Sequence, residues 1–124
     1  MKNILLIDAD KVTATLTIKF LENYNYNVNW VRSGKEALDQ LNDPMIDLIV
    51  SDVDLPGLSG FDILKLMKKC FISTPLAFFT SKDDKATKLD ARLSGAVALI
   101  SKRKDFINLP HLVSGLFQLE NEIG

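Results

Sequence analysis

The feature that most constrains this chain is an alternation. Apolar runs of strand length occur at Ile4-Leu5-Leu6-Ile7, Val28-Asn29-Trp30-Val31, Ile46-Asp47-Leu48-Ile49-Val50, Leu76-Ala77-Phe78-Phe79 and Val97-Ala98-Leu99-Ile100, each bounded by polar or turn residues. Between them lie longer segments with helical spacing. Val12, Leu16 and Phe20 recur at steps of four, followed by Ala37, Leu38 and Leu41, then Leu58, Phe61, Leu64 and Met67, then Leu89 and Leu93, and last Leu112, Val113, Leu116 and Leu119. These sets are the expected inward faces of five helices. Five strands alternating with five helices predict an α/β fold with a parallel sheet covered on both faces. Pro44 ahead of the third run and Pro75 at the start of the fourth fall where breaks are needed.

Size and charge narrow the classes. A chain of 124 residues, 47% hydrophobic and 25% charged, suits one domain over residues 1–124, burying roughly two thirds of the surface its unfolded form exposes. Cys70 is the single cysteine, so no disulfide forms within the chain, and a lone thiol suits a reducing cytosol. The opening run Met1–Ile7 carries one charge and is interrupted by Asp8, unlike a signal peptide. No apolar stretch approaches the ~20 residues that cross a bilayer. A net charge of −1 gives no electrostatic reason to bind a phosphate backbone. A cytoplasmic location is expected, with neither membrane nor nucleic acid as partner.

In a parallel sheet built with right-handed crossovers every strand points the same way, so chemistry collects at the carboxyl ends, where strand order reverses. The first run ends on Asp8 and Asp10, the third on Asp52 and Asp54, the fourth on Thr80 and Ser81, and the fifth on Ser101 and Lys102. Each has an ordinary explanation, since aspartate commonly caps the next helix and a terminal lysine is usually solvated. Acid, acid, hydroxyl and base on one edge form a constellation that such explanations do not cover.

These residues resemble the receiver domains of two-component response regulators, over nearly the whole chain. "LIVSDVDLPGLSGFDILKLM" is similar to the family's phosphoacceptor segment, with Asp52 in the acceptor position, Leu55-Pro56 in the turn and Gly60 after it. "SGKEALDQL" resembles its second helix, and "LSGAVALISK" its alanine-rich approach to the fifth strand and the lysine beyond. The resemblance implies a flavodoxin-like three-layer α/β/α sandwich with strand order 2-1-3-4-5, which sets Asp8 near Asp52. It implies that Asp8 and Asp52 help to hold Mg²⁺, that the backbone carbonyl of Asp54 completes the protein's share, that Lys102 pairs with the phosphoryl charge, and that Thr80 bonds a phosphoryl oxygen. The implied partners are a sensor histidine kinase or phosphotransfer protein, and a downstream protein on the face made by the fourth helix, fifth strand and fifth helix. A homodimer is a further partner to be considered.

Three positions depart from the family pattern. Two consecutive acids usually follow the first strand, the second a direct metal ligand, and here that place is Ala9. Alanine offers no oxygen, so weak Mg²⁺ affinity is expected. Asp10 could reach the metal from one residue on, but capping the first helix is the expected role. The family lysine is usually followed by a cis proline; here Arg103 follows Lys102, and a cis bond is not expected. Leu99 replaces an aromatic residue that commonly moves with the switch.

The leading expectation is a Mg²⁺-dependent signalling switch phosphorylated on Asp52, and not an enzyme. The alternative is a degenerate receiver that binds partners without phosphorylation. A third reading, a haloacid-dehalogenase-type phosphatase using the "DVD" of Asp52–Asp54, needs later acidic residues and a cap for which 124 residues leave little space. Pro110 is expected in the first turn of the last helix and His111 at its surface.

Overall fold

The structure, a computed structural model, describes residues 1–123. Its elements are β1 (Asn3–Ile7), α1 (Lys11–Glu22), β2 (Asn27–Val31), α2 (Gly34–Ala37), β3 (Leu48–Ser51), α3 (Gly60–Lys69), β4 (Leu76–Thr80), α4 (Lys85–Ser94), β5 (Ala98–Ser101), α5 (Lys102–Asp105) and α6 (Leu109–Ile123). The strands form one parallel sheet in the order β2-β1-β3-β4-β5. β3 starts two residues later than its apolar run, because the Ile46 N–H bonds back to the Asp43 carbonyl and the Asp47 carboxylate accepts the Asn3 N–H at 2.7 Å.

Alternation along each strand splits the core in two. Ile4, Leu6, Val50, Ala77 and Phe79 face a layer made by Ala14 and Leu21 of α1 and Leu109, Val113 and Phe117 of α6. Leu5, Ile7, Ile49 and Phe78 face the opposite layer, built on Ala37, Ile63, Leu64, Met67 and Ala91 of α2, α3 and α4. β1, β3 and β4 are thus apolar on both faces, as strands between two helical layers must be. Each such aliphatic or aromatic side chain contributes roughly 1.5–3 kcal/mol by leaving water.

The helical faces correct the expectation from apolar spacing. On α1 the buried residues are Ala14, Thr17 and Leu21, whereas Val12 and Leu16 are 71% and 45% exposed. On α4 Thr87 and Ala91 are buried, and Leu89 and Leu93 lie outside. On α6 Leu109, Val113 and Phe117 are buried, while Leu112 and Leu119 are exposed; Leu38, after α2, is exposed as well. The physical reason is close approach. Small residues let α1 and α4 lie against the sheet, and the threonine hydroxyls are satisfied locally: Thr17 Oγ1 donates to the Thr13 carbonyl at 2.7 Å and Thr87 Oγ1 to Asp84 Oδ1 at 2.6 Å. The inward faces of α3 agree with the spacing in Leu64 and Met67, with Phe61 half-buried against Phe78. The expected fifth helix is preceded by the one-turn α5, and Pro110 does fall in the first turn of α6.

Gly60 opens α3 behind the N-cap Ser59, whose hydroxyl and the Asp62 carboxylate form a reciprocal capping box. A Cβ at residue 60 would lie 2.4 Å from the Asp52 carbonyl oxygen and 2.7 Å from the Phe78 ring. Only glycine lets α3 start against the strand end that carries Asp52.

Candidate functional site

Asp8 follows β1 directly, and its backbone is held on both sides. Its N–H donates to the Val31 carbonyl at 3.1 Å, and its carbonyl accepts the Trp30 indole N–H at 2.9 Å. The Asp52 N–H donates to the Ile7 carbonyl at 2.9 Å, so the β1–β3 ladder continues one step beyond β3 and sets Asp52 beside Asp8. Lys102 enters from the end of β5. Its Nζ donates to Asp8 Oδ2 at 2.7 Å and to Asp52 Oδ2 at 2.8 Å, with side-chain exposures of 8% for Lys102, 2% for Asp8 and 16% for Asp52. Burial alone would push the Lys102 ammonium down, but its bonds to Asp52 and Asp8 outweigh that and hold it above the usual lysine value.

The remaining expected residues take distinct places. Thr80, 1% exposed, ends β4, and its Oγ1 accepts the Lys82 N–H at 3.1 Å. That bond uses one of the hydroxyl's two acceptor lone pairs and leaves its proton free to donate. Asp54 is exposed, and its N–H points to Asp52 Oδ1 at 3.3 Å. Asp10 caps α1 by accepting the Val12 N–H at 3.0 Å, and its own N–H donates to Asp8 Oδ1 at 2.9 Å. The Thr13 hydroxyl and the Val12 N–H hold the Asp10 carboxyl below the usual carboxylate value. Every peptide bond among the described residues is trans, Lys102–Arg103 included.

Asp83 and Trp30 were not singled out from sequence, and Arg103 was noted only as the residue in place of a cis proline. Arg103 Nη2 donates to Asp83 Oδ1 at 2.6 Å, and the Ser101 hydroxyl donates to Asp83 Oδ2 at 2.5 Å. The Arg103 guanidinium and the Ser101 hydroxyl hold the Asp83 carboxyl well down, at about 2. The available signal was an acid-rich turn after one strand, "SKDDK", facing a basic run after its neighbour, "SKRK".

A match over residues 4–114 to the family model described as the response regulator receiver domain decides the relationship. The chain belongs to the response regulator receiver family. It is 31% identical over 107 residues to the transcriptional regulatory protein ZraR of Escherichia coli, covering 86% of this chain and 24% of that protein. It is 32% identical over 117 residues to the transcriptional regulatory protein CrdR of Helicobacter pylori, covering 94% of this chain and 55% of that protein. The receiver thus spans between about a quarter and about half of these curated relatives. The receiver domain of the Francisella response regulator 1452 superposes with a TM-score of 0.89 at 28% identity, over 97% of this chain and 99% of that one. The α/β/α fold with strand order 2-1-3-4-5 is that of the chemotaxis-type receivers. Receivers are switches in two-component signal transduction, and none of the described helices is long and apolar enough to cross a membrane.

Among the described residues no three His, Cys, Asp or Glu side chains gather at a spacing that could hold a metal. The receiver pocket offers two carboxylates, Asp8 and Asp52, close enough to share one ammonium. Hard oxygen donors of this number fit Mg²⁺, which commonly takes one or two carboxylates and keeps waters and phosphoryl oxygens for the rest.

Proposed function

We propose that this receiver accepts a phosphoryl group on Asp52 from a histidine kinase or phosphotransfer protein, and that Lys102 and Thr80 hold the group once attached. The observation that carries this reading is the Lys102 bridge. A buried base bonded to both Asp8 and Asp52 leaves Asp52 as the more exposed of the two acids, with its second oxygen, Oδ1, turned toward the Asp54 N–H.

In the transfer, an Asp52 carboxylate oxygen forms a bond to phosphorus as the bond from phosphorus to the donor imidazole nitrogen breaks, and the imidazole keeps that electron pair. Asp8, Asp52 and the Asp54 carbonyl would hold Mg²⁺, which supplies charge neutralisation for the crowded oxygens when bound. Asp10 stays with α1 as its cap. The Lys102 ammonium transfers its bonding from the Asp52 carboxylate to a phosphoryl oxygen, a charge-assisted contact. The Thr80 O–H donates to another, drawing on the loop after β4. The readout face is α4, β5 and α6, where Leu89, Leu93, Val97 and Leu112 are exposed; a downstream protein or a second copy of the chain docks there, in the cytoplasm.

Phosphoramidate or acetyl phosphate with Mg²⁺ is expected to add one phosphoryl mass to the wild type and none to Asp52→Asn. An unmodified wild type under saturating donor overturns this reading. It would favour the degenerate receiver instead, for which Ala9 is the specific observation.

A further inference from the structure

Asp83 lies outside the pocket, yet it grips the chain on both sides of Lys102. Its Oδ2 accepts the Ser101 hydroxyl and its Oδ1 accepts Arg103 Nη2, and these two residues are the immediate neighbours of Lys102. Ser101 is the last rung of the β4–β5 ladder, paired with Thr80, and its Oγ also accepts the Lys104 N–H at 3.2 Å as the cap of α5. Asp83 itself is anchored from behind: its N–H donates to the Ser81 carbonyl at 3.1 Å, and Asp84 beside it caps α4. Its carboxylate is 7% exposed, with both oxygens engaged.

A lysine needs such support more than an arginine would. Its stem is flexible and its ammonium is a point charge without a fixed fork, so side-chain geometry alone does not hold it between two acceptors. Lys102 nonetheless bonds two carboxylates at 2.7 and 2.8 Å. We propose that Asp83 is a positioning residue for Lys102: by binding Ser101 and Arg103 together it fixes the backbone from which Lys102 reaches Asp8 and Asp52, and joins that backbone to the loop of Thr80. One carboxylate thereby connects the two groups that are to hold the phosphoryl charge.

The effect on reactivity rests on the phosphoacceptor reading, whereas the placement of Lys102 does not, and two measurements separate them. In the ¹⁵N-labelled chain the Lys102 ammonium resonance, identified by its loss in Lys102→Met, is expected to exchange slowly with water. Asp83→Ala should speed that exchange about tenfold as the bridge loosens, with the fold checked by thermal melting. An unchanged exchange rate overturns the proposal. If Asp83→Ala does not fold, Arg103→Gln removes one of the two grips and should speed exchange about threefold. The second measurement is phosphoramidate labelling followed by mass. Asp83→Ala should slow labelling about tenfold in the wild type and less than about twofold in the Lys102→Met background, because the two changes act through one group. Equal slowing in both backgrounds overturns action through Lys102. A wild type that takes no phosphoryl group sinks the phosphoacceptor reading instead, and ammonium exchange then decides by itself whether Asp83 holds Lys102.

Discussion

Two charged clusters share one edge of the sheet and are built the opposite way round. At the pocket one base serves two acids: Lys102 bonds Asp8 and Asp52. At the adjoining strand end one acid serves two donors: Asp83 bonds Ser101 and Arg103. The first leaves a negative charge over and keeps Asp52 16% open to solvent. The second pairs its charges, and the Asp83 side chain is 7% exposed. A cluster with surplus charge and an opening is suited to take a ligand; a balanced, saturated one is suited to hold neighbouring chain in place.

The sharpest way to break this contrast is to remove the base from the first cluster. Lys102→Met keeps the length of the side chain but leaves Asp8 and Asp52 facing each other with no cation. Taking one partner from a buried pair costs about 3–5 kcal/mol, and because Asp52 is partly solvated the expected loss is nearer 2 kcal/mol, a fall in Tm of about 8 °C. Adding Asp8→Asn should recover part of that loss by removing the repulsion. Thermal melting in metal-free buffer checks both. A Tm unchanged in Lys102→Met would mean that the bridge contributes no more than a surface pair, and the contrast between the clusters would fail.

The next change increases the surplus. Ala9 stands where the family pattern has a second acid, and Asp10 is engaged as the cap of α1. Ala9→Asp should therefore tighten Mg²⁺ binding by about tenfold, since a further hard oxygen and a further negative charge join the site. Isothermal titration with MgCl₂ gives the affinity without any phosphodonor. An unchanged affinity would show that Asp10 or water already fills that place, and the missing acid would then be no reason to expect a weak metal.

How much of this was legible before the structure divides along the same physical lines. β1, β3 and β4 were legible because strands buried on both faces read as continuous apolar runs, and the strand ends drew Asp8, Asp52, Thr80 and Lys102 to one edge. The inward faces of α1 and α4 were not, because Ala14, Thr17, Thr87 and Ala91 pack closely by being small, while Val12, Leu16, Leu89 and Leu93 carry the hydrophobicity that spacing detects. Asp83 was marked only by the opposite charges of "SKDDK" and "SKRK", which do not pick out one pair. Its meaning depends on the rung that pairs Thr80 with Ser101, and register across a parallel pair leaves no trace in either segment alone.

The smallest expected effect separates the clusters by pH. The Asp83 carboxyl lies at about 2 in the folded chain against 3.8 for an ordinary aspartate, held down first by Arg103 and then by Ser101. A depressed value means that the folded state favours the ionised form, so this contribution to stability is fully present above 3.8 and is lost as pH falls through about 2. For Lys102 the direction is reversed. Its folded value is raised above 10.5 because Asp52 and Asp8 outweigh its burial, so its contribution is present at neutral pH and fades only as pH rises beyond that range. Melting curves of wild type and Asp83→Asn should therefore differ by a constant amount from pH 5 to pH 8, which is a plateau expected of a group ionised throughout, and should converge toward pH 2. A Tm difference that persists unchanged at pH 2 would mean that Asp83 acts by shape and not by charge, and the clamp would no longer be the electrostatic counterpart of the pocket.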